Sequence, residues 1–245
     1  MSLEALWHDL ECGPYGEDLP LWRALAAEAG GPVLDVGAGT GRVSLDLASR
    51  GVPVVALDVD GSLLETLERR AAGLPVETVA ADARELDLGR RFPLVIVPMQ
   101  TLQLLGGPDG RAAFLRRARD HLEPGGHVAV AVADALDCFD EDHDQPPPPD
   151  VLEFDRVRYA SRLLSVLEDD GRAAIHRRRY VIGPADRFAF HDAVVHLDRV
   201  TPDQLAAEAA ALGFLVEPPR FVPQTEEYLG STVVMLSVAR QRQEE

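Results

Sequence analysis

Three glycines at alternate positions, Gly37, Gly39 and Gly41, follow an apolar run that contains Asp35, in the stretch VLDVGAGTGR (33–42). Glycine adopts backbone conformations that other residues avoid, and it has no side chain to hold a ligand away from the main chain. Such a turn between the first strand and the first helix of a parallel α/β unit binds nucleotide-like ligands. The stretch therefore predicts a cofactor site built mainly from backbone.

The glycine spacing separates the ligands that such a turn can bind. Dinucleotide-binding folds use G-x-G-x-x-G, whereas the third glycine here comes one residue earlier. The phosphate-binding P-loop needs a lysine, but all 24 residues counted as lysine or arginine are arginine. A P-loop and a Schiff-base lysine are therefore excluded, while an NAD site stays open as an alternative.

Two acidic residues follow later apolar runs. Asp58 comes after Val52–Leu57, and Asp82 comes shortly after Val76–Ala80. A carboxylate at the first position can accept both ribose hydroxyls of either NAD or S-adenosylmethionine (SAM). A carboxylate at the second position can accept a hydrogen bond from the exocyclic amine of adenine, which the NAD fingerprint does not require. Asp58 therefore fits either cofactor, and Asp82 favours SAM over NAD.

The elements that position these residues alternate between strand and helix. Apolar, β-branched runs are separated by amphipathic segments, which indicates βαβ units and a parallel sheet covered on both faces. The predicted strands are Pro32–Val36, Val52–Leu57, Val76–Ala80, Pro93–Met99 and His127–Val132, and the predicted helices are Arg42–Arg50, Ser62–Ala72 and Gly110–Leu122. The fold class is therefore α/β, Rossmann-like, with the glycine turn at the carboxyl edge of the sheet.

The alternation of predicted strands and helices ends after Val132. The acidic, proline-rich segment Asp134–Asp150 is interpreted as an exposed loop, and its carboxylates with His143 are expected to be solvated rather than to bind a metal. Two runs, Val157–Leu167 and Arg172–Ile182, flank an Asp-Gly pair, which is typical of a β-hairpin. A third run, Phe188–Leu197, completes a predicted antiparallel insertion. Thr201 then begins a last helix, because Pro202 and Gln204 suit its first turn, and two closing strands follow.

Composition limits the classes of partner and location. The formal net charge of −17 argues against nucleic acid and anionic membranes, since both are bound through cationic faces. The two cysteines have neither disulfide nor metal spacing, and no metal site is expected. The sequence has neither an apolar run long enough to span a membrane nor a basic, apolar leader. We expect a cytoplasmic protein.

The sequence resembles class I SAM-dependent methyltransferases in the order and spacing of several stretches. These are VLDVGAGTGRV, VVALDVDGSLLETL, ETVAADARELDL, FPLVIVPMQTLQLL, LRRARDHLEPGGHVAVAV and the tail TPDQLAAEAAALGF. The likeness is strongest to small-molecule methyltransferases that carry an antiparallel insertion before the last helix. It implies a seven-stranded sheet whose last strand is antiparallel. It also implies SAM as cofactor and a small-molecule methyl acceptor.

The resemblance also assigns roles to residues of this sequence. Those expected to line the methionine end of SAM are Asp35, Gly37, Ala38, Gly39 and the backbone of Pro98 and Met99. Those expected to hold the adenosine are Asp58, Val59, Asp82 and Ala83. Tyr15 lies in the N-terminal segment that commonly covers SAM in this family. The family often has asparagine where Gln100 stands, which puts the acceptor contacts in doubt.

The catalytic residues are not identified by the sequence. Methyl transfer from SAM depends on holding the acceptor close and aligned, and amines or phenols also need a base. The candidates are Tyr15, Gln100, His191 and His196, whereas Gln103 is expected to be structural. The two histidines are five residues apart on one predicted strand, so they point to opposite faces and at most one faces the site.

The predicted layout is one domain. It comprises a helical lid (1–30), a SAM-binding core (31–133), the acidic loop with the antiparallel cap (134–200), and the last helix with the closing strand pair (201–245). The predicted activity is transfer of a methyl group from SAM to a nitrogen or oxygen atom of a small molecule. A SAM-binding regulatory protein without turnover and, less favoured, an NAD-dependent oxidoreductase are the alternatives.

Overall fold

The computed structural model describes residues 1–133, 138–140, 147–184, 187–225 and 230–239. Apolar runs at the predicted positions form a seven-stranded sheet. Its strands are β1 (Val33–Val36), β2 (Val54–Asp58), β3 (Val76–Ala80), β4 (Phe92–Val97), β5 (Leu122–Val132), β11 (Leu215–Val222) and β12 (Ser231–Ser237).

The strand order is β11-β12-β5-β4-β1-β2-β3. Strands β1 to β5 pair in parallel, and β12 is antiparallel to both β5 and β11. The central strands are buried on both faces, which explains their continuous hydrophobicity. These observations confirm the predicted Rossmann-like fold with an antiparallel last strand.

Six α-helices accompany the two sheets in the described residues. They are α1 (Leu3–Cys12), α2 (Leu19–Ala29), α3 (Arg42–Ser49), α4 (Gly61–Arg70), α5 (Gly107–Asp120) and α6 (Pro202–Ala211). Helix α5 begins three residues before the predicted start, since Pro108 is compatible with a first helical turn. The side chain of Thr201 accepts a hydrogen bond from the Gln204 amide, so the predicted capping box of α6 is present. None of the described helices is long and apolar enough to cross a membrane.

A second, antiparallel sheet precedes α6, as predicted. Its strands are β6 (Phe139–Asp140), β7 (Asp150–Phe154), β8 (Val157–Asp169), β9 (Arg172–Ile182) and β10 (Phe188–Asp198). Asp170 and Gly171 have positive φ angles of 48° and 73°, as a two-residue hairpin turn requires. We refer to this sheet as the insertion sheet.

The acidic segment Asp134–Asp150 is not entirely the loop that the sequence predicts. Phe139 and Asp140 pair with Val166 and Ser165 of β8, and Asp150 begins strand β7. The physical reason is the Phe139 ring, which packs against a small apolar cluster that includes Val166 and Leu197. His143 lies outside the described residues, so its expected solvation stays a prediction. Among the described residues, no three histidine, cysteine or acidic side chains are grouped as a metal site would require.

Candidate functional site

The glycine turn lies at the carboxyl end of β1 and needs its glycines. Gly37, Gly39 and Gly41 have φ angles of 75°, 55° and 96°, which side chains disfavour. A Cβ atom on Gly37 would lie 2.4 Å from the Thr101 side chain, and one on Gly39 would lie 2.2 Å from Nε2 of His8. The turn is thus closely covered, and larger residues cannot replace these two glycines without displacing their neighbours.

Asp35 lies at the base of the turn with one unpaired oxygen. The residue is 1% exposed, and its Oδ2 accepts a hydrogen bond of 2.6 Å from the Ser44 hydroxyl. Its Oδ1 is buried without a hydrogen-bond partner. Burial raises the pKa of Asp35 to about 6. An orphaned buried acceptor is costly unless a ligand or water satisfies it, so Asp35 fits a role in holding a polar or cationic ligand group.

Asp58 ends β2 beside the turn. Its Oδ2 accepts a hydrogen bond of 2.8 Å from the Gly39 amide, and its Oδ1 accepts one of 2.9 Å from the Asp60 amide. Each carboxylate oxygen can accept a second hydrogen bond, so Asp58 fixes the glycine turn and can still bind ligand hydroxyls. The neighbouring Val59 is 75% exposed.

Asp82 begins a 3₁₀ turn (Ala83–Glu85) beyond β3. Its carboxylate accepts hydrogen bonds from the Arg84 backbone amide and from the Arg84 guanidinium. These bonds lower the pKa of Asp82. Asp82 therefore caps the 3₁₀ turn, a structural contact that it makes without any ligand. Ala83 beside it is buried.

Strand β4 ends at the same edge with an unusual backbone. Met99 has a φ angle of 53°, in the region that residues other than glycine rarely adopt. Such strain persists where the surrounding structure imposes it, often at ligand sites. The strained residue follows the buried Pro98 and precedes Gln100, which starts a 3₁₀ turn (Thr101–Leu104).

Gln103 within that turn is buried, and both its amide oxygen and its amide nitrogen are hydrogen-bonded. Its side chain bonds to the backbone N–H and C=O of Ala133 and to the C=O of Asp198. Gln103 therefore ties the end of β5 to the end of β10, which is the structural contact that the sequence indicated. Gln100 shows no side-chain capping bond.

Helix α1 covers the glycine turn, and sequence reasoning missed the residues that do so. Nδ1 of His8 lies 3.2 Å from the Thr40 hydroxyl, and that hydroxyl donates a 2.6 Å hydrogen bond to Asp9. Asp9 also pairs with Arg70 of α4. Burial lowers the pKa of His8. The available signal was the lid prediction for residues 1–30, which does not reveal the side of the helix that meets the turn.

Another side of α1 packs against the insertion sheet. Glu11 accepts hydrogen bonds of 2.8 and 2.7 Å from Arg179 and one of 2.7 Å from the Ser161 hydroxyl. Trp7 packs edge-on against Tyr159 and His191, with ring centroids 5.5 and 5.7 Å apart. The lid helix is therefore held between the glycine turn and the insertion sheet.

The two candidate histidines lie on opposite faces of β10. His191 is opposite Arg179 in the register and contacts Trp7, so it lies on the face that meets α1. His196 lies on the other face, 3.3 Å from Asp169 near the hairpin turn. Of the two, the structure brings only His191 to the lid.

Tyr15 lies between α1 and α2 in a half-buried position. The Arg42 guanidinium lies 5.1 Å from its ring centroid, and its hydroxyl is hydrogen-bonded to Ser231. Burial raises the pKa of Tyr15 above its ordinary value of 10. The phenol is therefore protonated near neutral pH, so Tyr15 is suited to donating a hydrogen bond and unsuited to being a general base.

Comparison with known proteins places this geometry in context. Residues 33–126 match the family model of a methyltransferase domain. A cypemycin N-terminal methyltransferase from Streptomyces sp is 33% identical over 165 residues, which cover 66% of this chain and 65% of the relative. A demethylmenaquinone methyltransferase from Clavibacter sepedonicus is 37% identical over 110 residues, 44% of this chain and 43% of the relative. The chain thus spans less than two thirds of either relative.

A solved structure shares the fold over almost the whole chain. The SAM-bound amino pentose methyltransferase CalS10 from Micromonospora echinaspora superposes with a TM-score of 0.72, covering 96% of this chain and 97% of its own at 20% identity. The likeness shows that the seven-stranded sheet and the insertion sheet form one known architecture. The family-model match shows a methyltransferase domain at residues 33–126, the sequence relatives are methyltransferases by name, and the solved structure shows that the whole chain shares the fold of a SAM-bound methyltransferase.

Proposed function

We propose that this chain is a methyltransferase that transfers a methyl group from SAM to a nitrogen or oxygen atom of a small-molecule acceptor. The observation that carries the proposal is the glycine turn, which places an unpaired Asp35 oxygen and the Asp58 carboxylate at one edge of the sheet. The names of two relatives, an N-terminal methyltransferase and an amino pentose methyltransferase, favour nitrogen as the acceptor atom.

The residues present fit SAM. Asp58, with Val59 beside it, would hold the ribose hydroxyls, and Asp82 and Ala83 would hold the adenine. Asp35 and the backbone of the glycine turn and of Pro98–Met99 would hold the methionine end. Bound SAM supplies a methyl group on a sulfonium, which is an already activated electrophile.

The chain's own part is to align the acceptor and to receive its proton. His191 lies on the lid-facing side of the insertion sheet, and an imidazole is the side chain that most often acts as a general base. Gln100 cannot accept a proton but can orient an acceptor through its amide. Helix α1 covers the glycine turn and so excludes water from it.

The acceptor is proposed to bind between the SAM site and the insertion sheet. In that space Arg179 pairs with Glu11, and Arg177 pairs with Asp150 at 3.0 Å. The charges of this region are therefore largely balanced, and the net charge of the chain is −17. Both features favour a small acceptor over nucleic acid or an anionic membrane. A cytoplasmic location is part of the same proposal.

The direct test is turnover. Purified protein is incubated with SAM and fractionated pools of small amines and hydroxyl compounds, and S-adenosylhomocysteine (SAH) is quantified. We expect SAH to form with an acceptor pool and not without one. SAH binding with no turnover across the pools would favour the regulatory alternative, and binding of NADH in place of SAH would favour an oxidoreductase.

SAH affinity is expected to depend on the ionisation of Asp35. Its pKa of about 6 means that the carboxylate is charged above pH 6 and neutral below it. Affinity for SAH, whose amino group is cationic, should therefore fall as the pH is lowered from 8 to 5. Calorimetry across this range measures the effect. The Asp35→Asn variant should bind weakly and lack this pH dependence, and an unchanged profile in that variant would assign the titration to another group.

The two histidines of β10 should differ in their effect on turnover. His191→Ala is expected to lower kcat about 10²-fold or more with little change in SAH affinity, because general-base contributions are of this size. His196→Ala is the matched control, since it removes a histidine from the opposite face of the same strand. Steady-state kinetics with an identified acceptor tests the difference. Equal kcat values for the two variants would remove His191 from the mechanism.

A further inference from the structure

Helix α1 contacts two different parts of the molecule through different sides. His8 and Asp9 contact Thr40 of the glycine turn. Trp7 and Glu11 lie four residues apart, one above the other on the helix surface, and contact the insertion sheet. The helix is ten residues long and hydrogen-bonded throughout. A displacement of α1 would therefore disturb both contacts at once.

Glu11 makes a charged polar contact between the lid and the insertion sheet. Its side chain is 13% exposed and that of Arg179 is 17% exposed, so the bidentate pair is well shielded from water. Burial opposes the charge, but hydrogen bonds from Arg179 and Ser161 keep the pKa of Glu11 below its ordinary value. The carboxylate is thus ionised at neutral pH, and both of its oxygens accept hydrogen bonds from the insertion sheet.

The partners of Glu11 belong to one row of residues across the insertion sheet. Asp150, Ser161, Arg179 and His191 are successive register partners on β7, β8, β9 and β10. Paired residues of antiparallel strands share a face, so this row faces α1. The Arg179 guanidinium also lies 5.3 Å from the Trp7 ring centroid, and Trp7 packs against His191. Glu11 thereby fixes the surroundings of the proposed base.

We propose that Glu11 is a positioning residue that couples the SAM site to the acceptor side of the molecule through its pair with Arg179. SAM binding under the lid then stabilises the row that contains His191, and acceptor binding beside the exposed His191 stabilises the lid over SAM. Such coupling is reciprocal, because each ligand favours the same lid position. The inference rests on the proposed function and adds the residue that links its two halves.

The first test measures SAH affinity by calorimetry. Glu11 makes no described contact with the glycine turn, yet Glu11→Ala should weaken SAH binding roughly tenfold, a typical size for such coupling. Arg179→Ala should have a similar effect, and the double variant should be no weaker than either single one. Glu153→Ala, which removes an exposed ion pair with Arg158 on the same sheet, is the control and should leave SAH affinity unchanged.

The second test separates coupling from lost stability. Hydrogen exchange in β8 and β9 should slow when SAH binds to the wild type, although the proposed SAH site is at the glycine turn and not on these strands. Glu11→Ala should lose this propagated protection, and combining Glu11→Arg with Arg179→Glu should restore part of it.

Leu205→Ala, a cavity variant in α6 remote from the lid, should lose stability but keep the propagated protection. Arg179→Lys, which keeps the charge without the bidentate geometry, is a milder variant should the others not fold.

The outcomes distinguish this inference from the proposed function. Weaker SAH binding and lost protection in Glu11→Ala would support the coupling. Wild-type SAH affinity and wild-type protection in that variant would overturn it while leaving the proposed function intact. Failure of the wild type to bind SAH would overturn the proposed function and the coupling with it.

Discussion

Asp58→Ala is expected to lower the affinity for SAH by roughly 10²-fold or more. A carboxylate that accepts two ribose hydroxyls makes two charge-assisted hydrogen bonds, each contributing about 1.5–3 kcal/mol, and 1.4 kcal/mol corresponds to a factor of ten. The substitution also leaves the Gly39 amide without its 2.8 Å acceptor, which loosens the glycine turn. Isothermal calorimetry with SAH measures the loss.

Asp82→Ala is the matched comparison at the end of the neighbouring strand. Its side chain is 28% exposed and already bound to Arg84, so the ligand gains less from it. We expect an affinity loss of about tenfold or less, as for one hydrogen bond. The roles of the two acids would be wrongly assigned if Asp58→Ala bound SAH as tightly as the wild type. They would also be wrong if Asp82→Ala lost more SAH affinity than Asp58→Ala.

Gly39→Ala is expected to abolish measurable SAH binding while the protein stays folded. The new Cβ atom would lie 2.2 Å from Nε2 of His8, at a φ angle that alanine disfavours. The His8 ring or the turn must move, and both lie at the proposed cofactor site. Calorimetry with SAH, accompanied by thermal unfolding, tests this expectation.

Gly51→Ala is the control that separates the effect of backbone strain from the effect of the collision between a Cβ atom and His8. Gly51 has a φ angle of 84°, but a Cβ atom there has no neighbour within 4 Å. This variant should lose about 1 kcal/mol of stability and retain SAH binding. Combining Gly39→Ala with His8→Gly should recover part of the binding, since it removes the colliding ring. Normal SAH binding by Gly39→Ala alone would show that the turn is not the cofactor site.

Local chemistry allowed the sequence to predict where the glycine turn and its two acids lie in the fold. The glycine turn, Asp58 and Asp82 lie at the carboxyl edge because parallel strands bring their ends together, and this edge followed from the βαβ pattern. The hairpin turn at Asp170–Gly171 was also predictable from the sequence, because aspartate and glycine tolerate the positive φ angles that such a turn requires. These features depend on residues that are close in the chain or on a regular topology.

Contacts between distant segments were not predictable in the same way. The sequence could not indicate that Glu11 would meet Arg179, because amphipathicity identifies the faces of a helix but not the partner of each face. It also could not separate His191 from His196, since alternation places them on opposite faces without saying which face meets the lid. The short strand Phe139–Asp140 was missed because two residues carry no periodicity.

The central claim is that the glycine turn and its acids hold SAM rather than a nicotinamide dinucleotide. Calorimetric titration of the purified protein with SAH and, separately, with NADH tests it most directly. The early third glycine and the adenine contact proposed for Asp82 predict that SAH binds with one site per chain and that NADH gives no binding. Tight binding of NADH with none of SAH would contradict the account.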